Sequence, residues 1–230
     1  MNIPVVYEDD WLLVLNKPSG LLTIPAPGKR KRSLLKILND DLKDKGELYR
    51  LHPCHRLDRQ TSGLIIFAKS KSVQKKMMQE FKKKRVKKVY LAYVDGKISN
   101  NYGLIRNSVC GRVAITRYKL VRRFKDFSVV KAEPLTGRKN QIRLHFKQIG
   151  HPIIGEDRFA FRKNFKIKAK RLCLHAEALR FRHPVTGEFI HLEAELPDYL
   201  ERFLPHPSFK QNIAVEEGRC LQNREEYDDI

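Results

Sequence analysis

Behind the turn Thr61-Ser62-Gly63 stand five consecutive apolar residues, Leu64-Ile65-Ile66-Phe67-Ala68. A run this short, with no polar member and a glycine turn at its head, is the signal of a buried strand. The rest of the chain must therefore supply a cover for it. The preceding segment, His55-Arg56-Leu57-Asp58-Arg59-Gln60, then falls on a loop at the edge of core structure and carries one acid between two arginines. Nearby positive charge favours the ionised form of a carboxyl group, so Asp58 is expected to be an anion at neutral pH with its pKa lowered by Arg56 and Arg59. Read alone, such a stretch is by default a structural ion pair at a turn, since ion-pair networks perturb titration as active sites do.

Elsewhere the apolar residues fall into both the strand and the helix period. Val5 to Tyr7 and Trp11 to Leu15 read as strands around an Asp9-Asp10 turn, and Pro18-Ser19-Gly20 ends the second. Ser33 is placed to cap a helix with Leu34, Leu35, Leu38 and Leu42 at helical spacing. A second helix fits Ser72 to Phe81, with Val73, Met77 and Phe81 as a core stripe. Lys87 to Val94 reads as a strand, and 115–121 with 127–132 as a hairpin about Lys125-Asp126. Arg138 to Ile149 carries Ile142, Phe146 and Ile149 on one helical stripe, with Arg143 beside it. A last hairpin, 172–181 with 189–194, precedes a short helix near 198–203. Strands and helices mixed in this way predict an α+β domain.

Charge narrows the partner. Forty-seven Lys and Arg against 26 Asp and Glu leave a net charge of +21, which fits a polyanion, either nucleic acid or an acidic membrane face. No apolar stretch approaches the roughly 20 residues of a spanning helix, and Met1-Asn2-Ile3-Pro4 lacks a basic region and an apolar signal core. A soluble, cytoplasmic protein is the expectation. Cys54, Cys110, Cys173 and Cys220 are scattered without a Cys-x-x-Cys pair, and His52, Cys54 and His55 lack a second ligand pair, so free thiols and no metal site are expected. The only marked shift of composition is at the C-terminus, where residues 211–230 hold six acidic and two basic side chains. A body over 1–205 and an acidic, solvated tail over 206–230 follow.

Five blocks, taken together, resemble the RluA-type pseudouridine synthases. His55-Arg56-Leu57-Asp58, two variable residues and Thr61-Ser62-Gly63 match that family's catalytic motif. Asn16-Lys17-Pro18-Ser19-Gly20 is similar to its entry motif, Lys88-Val89-Tyr90-Leu91-Ala92-Tyr93-Val94 to its tyrosine strand, and Thr136 to His145 to its arginine motif. His151-Pro152-Ile153-Ile154-Gly155-Glu156-Asp157 follows as the family's loop. The order of the blocks is also the family's.

The resemblance implies a mixed, largely antiparallel sheet with flanking helices and a central RNA-binding cleft. It implies an isomerase that turns uridine of ribosomal or transfer RNA into pseudouridine without metal or cofactor, acting as a monomer. Asp58 takes the catalytic position, whether as nucleophile at C1′ or as base at C2′. Tyr90 would stack on uracil and could take the C5 proton, with Tyr93 the more natural core tyrosine. Arg143 would pair with Asp58 through charge-assisted hydrogen bonds. Arg56 would fill the gap left by the extruded base. Lys17, Lys69, Arg138 and Lys139 would meet phosphate, as would the basic runs Lys82 to Arg85, Lys87-Lys88 and Arg162 to Arg171. The short polar stretch Lys97 to Arg112 and the basic insertion Lys163 to Lys170 would rim the cleft. The entry strand at Val5 leaves no room for the S4 module that many relatives carry ahead of the synthase domain. A metal-dependent nuclease would need clustered carboxylates, and Asp9-Asp10 and Asp40-Asp41 sit at turn and helix-surface positions. A non-catalytic RNA-binding or chaperone module on the same fold remains the alternative.

Overall fold

A computed structural model describes residues 3–25, 32–160 and 165–204. The acidic tail, the basic residues Lys29 to Lys31 and the pair Arg162-Lys163 lie outside the described residues. In chain order the elements are β1 (Val5–Glu8), β2 (Leu12–Lys17), α1 (Leu34–Asp44), β3 (His52–Pro53), β4 (Ser62–Ala68), α2 (Lys71–Lys82) and β5 (Lys87–Asp95). Then come β6 (Tyr102–Ile105), β7 (Thr116–Arg123), β8 (Phe127–Pro134), α3 (Gln141–Gln148), β9 (Leu174–Arg182), β10 (Phe189–Glu193) and α4 (Asp198–Glu201). Residues 1–196 form one unit and 197–230 another, of which the described element is the single turn α4.

The apolar run at 64–68 becomes β4, buried at every position. Its alternate side chains serve two cores. Leu64, Ile66 and Ala68 pack with Leu12 and Val14 of β2, Val73 and Met77 of α2, and Leu179 and Phe181 of β9. Ile65 and Phe67 pack on the other face with Leu13, Leu15, Leu34, Leu51 and Leu57. The ten strands among the described residues form one sheet in the order β1-β2-β4-β9-β5-β8-β7-β6, with β10 on β9 and β3 on β4. Every pairing among the described residues is antiparallel except β4 with β9, so the α+β reading and its mixed, largely antiparallel sheet hold. On one face α1 covers β2 and β4, while Phe146 of α3 meets Tyr118 of β7. The middle of that face, with Tyr90 of β5 opposite Ala176 of β9, lies between the two helices.

The parallel junction explains the glycine of the turn. Gly63 sits opposite Ala176 at φ +110°, and a Cβ there would lie 2.2 Å from the Ala176 carbonyl oxygen. Gly63→Ala therefore has both a steric and a conformational penalty, and its unfolding free energy in urea should fall by about 3 kcal/mol. A wild-type midpoint would show that the two strands can part without loss.

Several expectations need correction. The arginine-motif helix does not begin at Arg138: Asn140 adopts a left-handed φ of +56° and α3 starts at Gln141, leaving Arg138 and Lys139 on the preceding loop. Its buried set also exceeds one stripe, since Gln141, Arg143 and His145 join Ile142 and Phe146. Within 97–112, where no element is expected, Tyr102–Ile105 form the edge strand β6 on β7, with Tyr102 66% and Leu104 43% exposed. An edge strand with one covered face offers too few apolar residues for a periodicity signal. The cap of α2 is Ser70, whose hydroxyl accepts from Val73 N, so that helix starts one residue before Ser72.

Candidate active site

The loop that carries Asp58 is tied down from three sides. Thr23 Oγ1 donates to Leu57 O at 3.0 Å and accepts from Leu57 N at 3.2 Å, both buried. Leu57 itself is 4% exposed and packs with Leu13, Leu15 and Ile65. From the block at 16–20, Ser19 Oγ donates to Gln60 O at 2.7 Å and Gly20 N to Arg59 O at 2.8 Å. Thr61 N closes the turn on Asp58 O. On the other flank, Gln60 Nε2 donates to Asp157 Oδ2 at 2.8 Å. His55 faces the strand: its Nε2 accepts from Ile66 N at 3.1 Å, and burial pulls the imidazole down to about 3, so it stays neutral and structural.

The carboxylate of Asp58 is 22% exposed and stands 3.6 Å from Nη1 of Arg143. The arginine is more firmly held elsewhere. Its Nε and Nη2 donate to the two oxygens of Glu156 at 2.7 Å each, and its Nη1 donates to Asn140 Oδ1 at 3.2 Å. Phe159 lies against the guanidinium, 4.9 Å from its ring centroid. Glu156 is 0% exposed, and one of its oxygens also accepts from Arg158 N and Phe159 N. Burial pushes the Glu156 carboxyl up, but the hydrogen bonds from Arg143 and these amides outweigh it and hold it below the usual carboxylate range. The same pairing outweighs burial for Arg143 and raises it.

Tyr90 lines the middle of the sheet, packed with Leu57 and Ala176. Burial, and after it the Asp58 carboxylate, push the phenol above its usual range. The phenol is therefore protonated at neutral pH. Tyr93 is 0% exposed and stacks on Phe127, the core position expected of it.

The structure brings Asp58, Tyr90 and Arg143 together and sorts the expected phosphate contacts. Arg56, Arg138 and Lys139 are exposed. Arg56 makes no hydrogen bond or ion pair among the described residues, while Arg138 Nε donates to Val113 O at 3.1 Å. Arg59 Nε donates to Gly20 O, so the charge partner of Asp58 comes from α3 and not from its sequence neighbours. Two residues are corrected. Lys17 is 0% exposed and its Nζ donates to Pro18 O, Leu21 O and Arg59 O at 2.9, 2.9 and 3.4 Å, which leaves no surface for phosphate. Leu13, Leu15 and Lys17 share one strand face, so a lysine at the third apolar-face position is the signal of its burial. Lys69 follows the far end of β4, roughly 20 Å from the Asp58 loop at about 3.3 Å per residue, and its Nζ pairs with Glu8 at 2.8 Å. Glu156 lies in the loop block 151–157, but motif reasoning assigns it no role; its signal in the sequence is an acid straight after Ile153-Ile154-Gly155.

Burial pulls the Lys17 ammonium down to about 7, against the opposing pull of Asp58. An unfolded lysine holds its proton to about 10.4. Between those values the unfolded chain binds the extra proton, so this group makes stability rise with pH. Lys17→Met should remove that slope, up to about 1.4 kcal/mol per pH unit, in urea titrations from pH 7 to 10. An unchanged slope would show that the three carbonyl acceptors and Asp58 keep the amine protonated despite its burial.

Among the described residues no group of three or more His, Cys, Asp or Glu side chains is placed to hold a metal ion. Cys54 and Cys173 are buried free thiols and Cys110 an exposed one. No described helix is long and apolar enough to cross a membrane.

The five sequence blocks thus converge on one carboxylate, and comparison with known proteins shows which family carries them. The family model described as RNA pseudouridylate synthase matches residues 11–148. Dual-specificity RNA pseudouridine synthase RluA of Haemophilus influenzae is 36% identical over 211 residues, 84% of this chain and 93% of that protein. Ribosomal large subunit pseudouridine synthase C of Vibrio vulnificus is 35% identical over 217 residues, 86% of this chain and 67% of that one. The solved human RNA Pseudouridylate Synthase Domain Containing 1 shares the fold, with a TM-score of 0.71 at 24% identity over 94% of this chain and 95% of its own. Matched by the family model over more than half its length and by a relative over nearly all of that relative's, the chain belongs to the RNA pseudouridylate synthase family.

Proposed function

We propose that the protein isomerises specific uridines of ribosomal or transfer RNA to pseudouridine, with Asp58 as the catalytic residue. The observation that carries this reading is a solvent-reachable carboxylate set 3.6 Å from a buried guanidinium, with a tyrosine ring beside it. The reaction breaks the bond from uracil N1 to ribose C1′ and joins C5 to C1′; C5 gives up its proton and N1 takes one up, so the product has the formula of the substrate. One anionic oxygen must reach the sugar, to add at C1′ or to take the C2′ proton. Asp58 offers that oxygen, and Arg143 keeps a positive charge against it. Tyr90 gives the base a face to lie on and a hydroxyl to take the C5 proton.

A base inside folded RNA has to leave the stack before its sugar can be attacked. Arg56, exposed beside Asp58 in the chain, fills the vacated space. Arg138 and Lys139, exposed ahead of α3, hold phosphate and contribute affinity without reading sequence. The synthase domain spans 1–205 with the acidic tail beyond it, and works as a cytoplasmic monomer. The test is an incubation, with no metal added, of the protein with cellular RNA carrying tritium at uridine C5. Tritium released to solvent while the base stays in the RNA supports the isomerase. Cleaved RNA, or binding without release from any RNA, sinks it in favour of a nuclease or a non-catalytic RNA-binding module.

A further inference from the structure

Resting on that reading, we infer that Glu156 is a positioning residue: it captures one edge of the Arg143 guanidinium and so sets how that arginine meets Asp58. A guanidinium presents five N–H donors in a rigid planar fork, and its best partner is a carboxylate met edge to edge. Two carboxylates compete for Arg143. Glu156 takes the Nε and Nη2 edge in two bonds of 2.7 Å. Asp58 is left with Nη1 at 3.6 Å, beyond hydrogen-bond reach, and that nitrogen donates to Asn140 instead. The arrangement gives Asp58 a close counter-charge without committing its oxygens to donors. An oxygen that must attack a sugar carbon or take its proton needs that freedom.

The site for Glu156 is built, not incidental. Its loop is stitched to β5 by Asp95 N to Pro152 O and Ile154 N to Tyr93 O, and to the segment before β9 by Cys173 N to Ile154 O. Gly155 adopts φ +78°, and a Cβ there would lie 1.9 Å from Arg171 O, so the chain passes beneath that segment by a route only glycine permits. That route delivers Glu156, 0% exposed, to the side of Arg143 away from solvent. The adjacent Asp157 meanwhile receives Gln60 Nε2, two residues after Asp58. One loop therefore holds both the arginine and the turn that face each other across the site.

Glu156→Gln keeps shape and removes charge, and Glu156→Asp keeps charge. With saturating RNA, well below the melting temperature and scaled to folded protein, Glu156→Gln should slow single-turnover tritium release about 100-fold, the size of effect expected from misplacing a reacting group by about 1 Å. RNA affinity should stay within about threefold, because phosphate contacts carry it. Glu156→Asp should recover most of the lost rate. A crystal structure of Glu156→Gln should show Arg143 turned to meet Asp58 through two hydrogen bonds. Wild-type rates in Glu156→Gln, equal defects in both variants, or an unmoved Arg143 would each overturn the inference. If wild-type protein releases no tritium, the isomerase reading fails by itself, and the position of Arg143 in the variant still decides the role of Glu156.

Discussion

Asp58→Asn should release no tritium above background, a loss of at least about 10,000-fold in single-turnover rate, comparable to deleting the central group of other covalent catalysts. The amide is isosteric, so the loop needs no rearrangement. It lacks the anion. No nearby carboxylate can stand in: Glu156 is 0% exposed with its oxygens on Arg143, and Asp157 is bonded to Gln60. RNA affinity should stay within about threefold, since one carboxylate among exposed cations contributes little to phosphate binding. Filter binding and tritium release on the same preparations check both halves. Release by the variant at a tenth of the wild-type rate would move the chemistry to another residue.

Arg143→Ala should be the most destabilising change at the site, lowering the unfolding free energy by about 3–5 kcal/mol. Pairing with Asp58 is not the cause, because that carboxylate is part-exposed and can turn to water. The cause is Glu156, left buried without the guanidinium that gives it two hydrogen bonds. For a domain of this size the melting temperature should drop by about 10 °C. Adding Glu156→Gln should recover part of the loss, with a coupling above about 1 kcal/mol between two residues in contact. Turnover should fall more than RNA binding, as for a residue that acts on the carboxylate and not on phosphate. Strictly additive losses in urea melts would mean that the buried pair does not exist.

The elements with the strongest periodicity are legible in the amino-acid sequence. The apolar run at 64–68 forms the doubly covered β4, Ser33 caps α1 by accepting from Lys36 N, and the Asp9 turn closes as Asp9 Oδ1 accepts from Trp11 N and Leu12 N. The elements that sequence misreads have weak local signals. Tyr102–Ile105 is an edge strand with two of its four residues exposed, and α3 begins late because a left-handed Asn140 interrupts an otherwise helical pattern. At the site, motif order places Asp58, Tyr90 and Arg143 in one neighbourhood, as the structure does. It misplaces the lysines. Lys17 and Lys69 look alike in sequence, yet one is sealed beneath the loop and the other closes the far end of β4 on Glu8.

The sequence by itself determined the class of fold, the family and the single acid around which its motifs are arranged. Period and turn chemistry act over a few residues, and motif order survives without knowledge of distances. Only the tertiary structure decided who holds whom. Arg56 and Arg59 are Asp58's neighbours along the chain, but its counter-charge is Arg143, which is itself gripped by Glu156 from a third segment. Charge acts through space and falls off within a few ångströms in a solvated site. A partner 85 residues away in the chain and 3.6 Å away in the fold therefore outweighs one that is adjacent in sequence and turned to solvent.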